Sequence, residues 1–139
     1  MDSVLLTGGR ALNGLLAGTY VAFVVAVMPT LHGLSDETFV RVMNRINVVI
    51  VNPAFLTLLL GAPALAVVLA VARRDPVTVT AAVAAVIAMV ITFAVNVPLN
   101  DALAEGGSRG AFEVPWVLWH DVRTAAAATA FVLLCLPSR

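Results

Sequence analysis

The fourth apolar stretch of this chain opens with Trp116, Trp119, His120, Arg123 and Thr124. At about 100° per residue, the first four fall within about 100° of arc on one helix face. Thr92, Asn96 and Asn100 stand four apart in the third stretch, so they line one face over about 12 Å of rise. Asn44, Asn47 and Asn52 lead into the second stretch. Histidine has the titration range of a general base, which points to His120. Arg123, with Asn96 and Asn100, can hold a developing oxyanion where the dielectric is low. Trp116 and Trp119 can stack on a flat aromatic ligand. Asn47, Asn52, Thr92 and Thr124 can add polar contacts to it. The histidines His32 and His120 and the single cysteine Cys135 fit no H-x-x-x-H, E-x-x-H or C-x-x-C spacing. The sequence therefore specifies no cofactor, although neither a metal nor haem is excluded.

Each residue also has a plainer reading. Asparagines join membrane helices, and tryptophans at span ends form aromatic belts. Arg123 can snorkel to headgroups or pair with an acid. His120 can be a hydrogen-bonded structural residue, and His32 reads as a loop residue. Asn52 before Pro53 can simply mark a kink. Gathering at one end favours a site, because interhelical glue should be spread along the bundle.

The elements that must position these residues follow from composition. The chain has 139 residues, 61% hydrophobic and 12% charged, with a mean hydropathy of +1.02. A soluble domain is about 45–50% apolar and about 25% charged. A chain this short cannot enclose the excess in one core, so lipid must solvate most of its surface. That excludes a soluble enzyme and a disordered tail. Eight basic against eight acidic residues leave no basic patch for nucleic acid. Four stretches, at about 11–31, 48–72, 77–100 and 116–136, are long enough to cross the bilayer, and lipid requires them to be helices. The sequence thus predicts an all-α integral membrane four-helix antiparallel bundle in a single domain. The first span is too long, and lacks the cleavage site, for a signal that is removed.

The connections differ. Arg73-Arg74-Asp75-Pro76 is a tight turn in which Asp75 caps the third helix and Pro76 occupies its first turn. The first loop, 32–47, reads as a short amphipathic helix. Ser35 caps it, Asp36 and Glu37 suit its N-terminal end, Glu37 and Arg41 form an i,i+4 pair, and Phe39, Val40, Met43 and Ile46 share one face. The third loop, 101–115, carries Gly106-Gly107-Ser108 and is expected to be mobile. Gly14 and Gly18 form a G-x-x-x-G that reads as bundle packing and leaves a homo-oligomer open. Arg10, Arg73, Arg74 and Arg139 lie on the side of the termini, against Arg41, Arg45, Arg109 and Arg123 on the other. If Arg41, Arg45 and Arg123 are folded into a site, the remaining charges put both termini in the cytoplasm.

The motifs also carry a resemblance. Asn96-Val97-Pro98-Leu99-Asn100-Asp101-Ala102-Leu103 matches an N-x-P-L-N-x-x-L signature after the third span. Trp116-x-x-Trp119-His120-Asp121-Val122-Arg123-Thr124 is similar to W-x-x-W-x-x-x-R-T. Phe39-Val40-x-Val42-Met43-x-x-Ile46-Asn47, followed by Asn52-Pro53-x-Phe55, is similar to the segment into the second span. Together they resemble the small four-span membrane family that includes anthrone oxygenases, most of whose members lack an assigned function. The likeness covers nearly the whole chain. It implies oxidation of an apolar polycyclic phenol by O₂, turning an anthrone into an anthraquinone. Such a substrate has an acidic benzylic C–H and a carbanion able to reduce O₂, so a base, anion stabilisers and a dry pocket suffice. The family often has Asn at the position of His120 and His at that of Asp121. A base role for His120 therefore rests on chemistry and placement alone. The alternative is a non-catalytic small membrane binding or accessory protein for an apolar metabolite.

Overall fold

A computed structural model describes residues 2–137. The described residues are almost all helical, with no strand. In chain order the helices are α1 (Asp2–Ala22), α2 (Met28–His32), α3 (Asp36–Ile50), α4 (Pro53–Arg73), α5 (Pro76–Ile91), α6 (Val97–Ala104) and α7 (Arg109–Cys135). A π-helical turn, Phe23–Val27, joins α1 to α2 without a break, and another, Thr92–Asn96, joins α5 to α6. Four continuous spans result, Ser3–His32, Pro53–Arg73, Pro76–Ala104 and Arg109–Cys135, each long and apolar enough to cross a membrane. The protein is a multi-pass membrane protein. Its outward surface is apolar, as lipid demands: Leu15, Val25, Leu60, Val83 and Val132 all stand exposed.

The spans pack as a ring in chain order. α1 lies on α4 and α7, and α5 lies on the same two. An alanine seam lets them approach closely: Ala62 and Ala66, Ala81 and Ala85, Ala127 and Ala130 are all buried. Gly14 belongs to this packing, since a Cβ there would lie 2.8 Å from the Phe131 ring, whereas Gly18 faces open space. Only half of the G-x-x-x-G is thus used inside the bundle.

The turn between α4 and α5 forms as its residues require. Arg74 adopts φ 56° and closes α4, and the Asp75 carboxylate accepts from Val77 N and Thr78 N. The Thr78 backbone and side-chain bonds hold that carboxyl below its usual range. Ser35 caps α3, and the α3 face expected to be apolar buries Phe39 and Met43 completely. Each contributes about 1.5–3 kcal/mol to docking this helix across the bundle end.

The boundaries differ from the sequence expectation in several places, and the first span already starts earlier, at Ser3. The second span starts at Pro53, because the Asn52-Pro53 pair ends α3 only at Ile50 and restarts the chain. The fourth span begins at Arg109, two turns before Trp116, and carries Pro115 within the helix. The third loop is consequently short. α6 ends at Ala104, and Gly106 at φ 98° lets Gly107 N reach back to Ala102 O at 2.9 Å. Ser108 then caps α7. Arg109 anchors this corner. It donates to Leu34 O, His32 O, Asp36 and Glu113, and lies 4.4 Å over the Phe39 ring. The expected mobile segment is therefore mostly helix, tied down by charge.

Candidate functional site

Arg123 lies seven residues, about 10 Å, deeper than Trp116 along α7. It is 7% exposed. A guanidinium at membrane depth costs about 2.5–3.5 kcal/mol on insertion scales and needs partners. Its partners are neutral. Nε and Nη2 reach His120 Nδ1 at 3.0 and 2.9 Å, and Nη1 donates to Thr92 Oγ1 at 3.0 Å. Its Cζ sits 4.5 Å over the Tyr20 ring and 5.4 Å over that of Trp116. Among the described residues, no carboxylate forms an ion pair with it.

These contacts fix the protons. Arginine only donates, so His120 Nδ1 is the bare nitrogen. Nε2 carries the hydrogen and donates to Tyr20 O at 3.0 Å. His120 is thus the neutral Nε2–H tautomer, stacked on Trp116 at 4.7 Å and edge-on to Tyr20 at 5.5 Å. Thr92 has one hydroxyl proton, which it gives to Ala88 O at 2.9 Å. Its lone pairs accept from Arg123 and from the Tyr20 hydroxyl at 3.3 Å. Trp116 Nε1 donates to Asn100 Oδ1 at 2.8 Å. The network runs unbroken from span one to span four.

Beside it lies a cavity of about 260 Å³ walled by Tyr20, Phe23, Asn47, Phe55, Thr92, Asn100, Trp116, His120 and Arg123. That is near the small end of ligand pockets, which run about 300–1,000 Å³. Val51, Leu56 and Phe93 also line it, and each is substantially exposed on the outer surface. The mouth therefore faces lipid, between the start of α4 and the π turn of the third span. Both π turns stand at this level, and each precedes a proline, Pro29 or Pro98. Such turns recur at functional sites because they re-aim side chains.

The sequence-chosen residues separate into two groups. Asn47, Thr92, Asn100, Trp116, His120 and Arg123 wall the cavity. The other four do not. Trp119 is 39% exposed. On the α7 wheel it falls about 20° beyond the buried arc that ends at Phe112 and Ala130. Asn52 caps α4, with Oδ1 accepting from Phe55 N and Nδ2 donating to Val49 O. Thr124 donates to His120 O on its own helix. Asn96 is buried behind the cavity wall, with Nδ2 on Trp116 O at 3.3 Å and Oδ1 without a partner. Tyr20, Phe23 and Phe55 also wall the cavity, without belonging to the polar cluster legible in the sequence. Tyr20 had a signal, being the sole tyrosine and lying inside a span rather than at its end.

Among the described residues, no three His, Cys, Asp or Glu side chains converge as a metal site. His32 sits apart on the membrane surface, 2.7 Å from Glu113 and largely exposed.

Comparison with curated proteins and with solved structures finds no match. The sequence pattern of the anthrone oxygenase family matches residues 39–133, which takes in most of α3, the cavity wall apart from Thr19, Tyr20 and Phe23 of span one, and nearly all of α7. The chain belongs to the anthrone oxygenase family.

Proposed function

We propose that this protein is a membrane-embedded oxygenase that oxidises an apolar polycyclic aromatic of the anthrone type with O₂, without a cofactor. One observation carries the reading. A guanidinium buried within a span, with only neutral partners among the described residues, borders an aromatic-walled cavity open to lipid. A cation held there without a counter-ion favours a ligand that develops negative charge. Anthrone does so on losing its benzylic proton, because the charge delocalises onto the ketone oxygen.

The reaction balances without further reagents. The carbanion passes one electron to O₂, leaving a carbon radical and superoxide. Their recombination forms the new C–O bond, and a proton makes the hydroperoxide. Loss of the second benzylic proton with cleavage of the O–O bond gives the quinone carbonyl and one water. Arg123 and the Asn100 amide stabilise the oxyanion, and Trp116 stacks on the rings. In the resting site His120 Nδ1 is occupied by Arg123. Transfer of the guanidinium to the substrate oxygen frees that lone pair to accept the proton, so the base is unmasked by the substrate itself.

The occupied Nδ1 also favours a second reading, a non-catalytic protein that binds an apolar metabolite. Anthrone turnover separates the two. Purified protein in lipid nanodiscs should form anthraquinone with one O₂ consumed per product, well above protein-free autoxidation, and Asn100→Leu should lose at least about tenfold. Saturable binding without turnover would establish the second reading. Absorbance in the Soret region and elemental analysis of the same sample test for haem or metal.

A further inference from the structure

Besides Asn96 Oδ1, two buried polar atoms on α3 are without a hydrogen-bond partner among the described residues, Asn44 Oδ1 and Asn47 Nδ2. One is an acceptor and the other a donor. They stand three residues apart on α3, so their side chains are neighbours on one helix face, about 5–6 Å between Cβ atoms. Leaving such atoms unpaired costs about 1–3 kcal/mol each, and the protein bears that cost beside an open cleft. The cleft holds about 330 Å³ between α3 and α6, and Asn44, Asn47, Asn100 and Asp101 supply its polar wall. It adjoins the main cavity, with which it shares Asn47, Val51, Val97 and Asn100 as walls.

We infer that this cleft is a polar subsite that receives a hydroxyl on the edge of the aromatic ligand whose body fills the main cavity. A hydroxyl on the ring edge answers both atoms at once, accepting from Asn47 Nδ2 and donating to Asn44 Oδ1. An unsubstituted hydrocarbon edge leaves both unpaired, and a site built to bond a hydroxyl rejects the analogue that lacks it. Asn44 and Asn47 thus set specificity at the edge of the ring system, away from the oxyanion held by Arg123. This inference rests on the aromatic-cavity reading above, but it needs binding only and no turnover.

The test compares anthraquinone with 2-hydroxyanthraquinone, neither of which carries the benzylic C–H that is oxidised. Quenching of Trp116 fluorescence in a Trp119→Phe background reads their affinities in nanodiscs. The wild-type chain should prefer the hydroxylated ring about tenfold, one net hydrogen-bonded group. Asn44→Leu and Asn47→Leu should each bring the ratio of the two affinities toward one. Asn44→Asp, which keeps the acceptor, should preserve it. A wild-type ratio near one overturns the inference, and so does a preference that survives both leucine variants, because water then serves the two amides. Failure of both compounds to bind overturns it together with the aromatic cavity. A preference that collapses as stated, in a protein that never turns over anthrone, leaves the subsite standing and removes only the oxygenase.

Discussion

Replacing Arg123 by methionine separates a catalytic cation from a structural one, because stability and turnover should move independently. Methionine keeps the length of the side chain and discards the charge. Two effects on stability oppose each other. Removing the guanidinium recovers the cost of holding it at depth, about 2.5–3.5 kcal/mol. The loss leaves His120 Nδ1 an acceptor without a donor, about 1–3 kcal/mol. Thr92 Oγ1 still accepts from Tyr20 and still bonds Ala88 O, so no second orphan appears. The stacking over Tyr20 is worth a further ~0.5–2 kcal/mol. Stability should therefore stay within about 2 kcal/mol of the native protein, because the recovered desolvation offsets the lost contacts. Turnover should fall about 10²–10³-fold, the loss of one oxyanion donor at about 2.7–4 kcal/mol. Thermal unfolding in detergent and anthraquinone formation in nanodiscs read the two quantities on one sample. Unchanged turnover would refute the oxyanion role. Loss of fold by more than about 4 kcal/mol would refute the energetic reasoning and make the guanidinium a structural group.

The remaining expectations concern neighbours of that network. Trp116→Ala should weaken both turnover and the binding of a flat aromatic ligand, whereas Trp119→Ala should leave both near wild type, since its indole faces lipid; equal losses would contradict the placement of α7. Asn13 lies in the other half of the bundle, donating to Gly9 O and Ala62 O, so Asn13→Leu should cost about 0.6–1.7 kcal/mol in unfolding experiments without changing turnover. Arg109→Gln should loosen α3 from the bundle end, read as faster hydrogen exchange across residues 36–50 with α5 unaffected. Unchanged α3 protection would show that Phe39 and Met43 hold the helix without the charged anchor.

Much of the architecture depended on local quantities and was legible in order. Hydropathy demanded lipid, and lipid demanded helices of about 20 residues. Asp75-Pro76 and Ser35 announced their caps. The polar residues of the site were also visible as a cluster, because an arginine inside a span is costly wherever it occurs. Where they meet was not visible. Trp116 and Trp119 have equal chemistry and differ by about 60° of helix phase, yet one walls the cavity and the other meets lipid. Thr92, Asn96 and Asn100 share a face on a regular helix, but the π turn at Thr92–Asn96 changes the angular spacing and sends Asn96 behind the wall. Tyr20 joins the network only because the alanine seam draws span one against α7.

The amino-acid sequence alone determined that lipid is the solvent, that four helices span it, and which end of the bundle is polar, since hydropathy, capping and periodicity act within a few residues. Tertiary structure alone decided which side chains form the network, which of the two tryptophans walls the cavity, and that Tyr20 joins it. Those outcomes follow from helix phase and close packing between segments distant along the chain, where a rotation of one residue turns a ligand contact into a lipid contact.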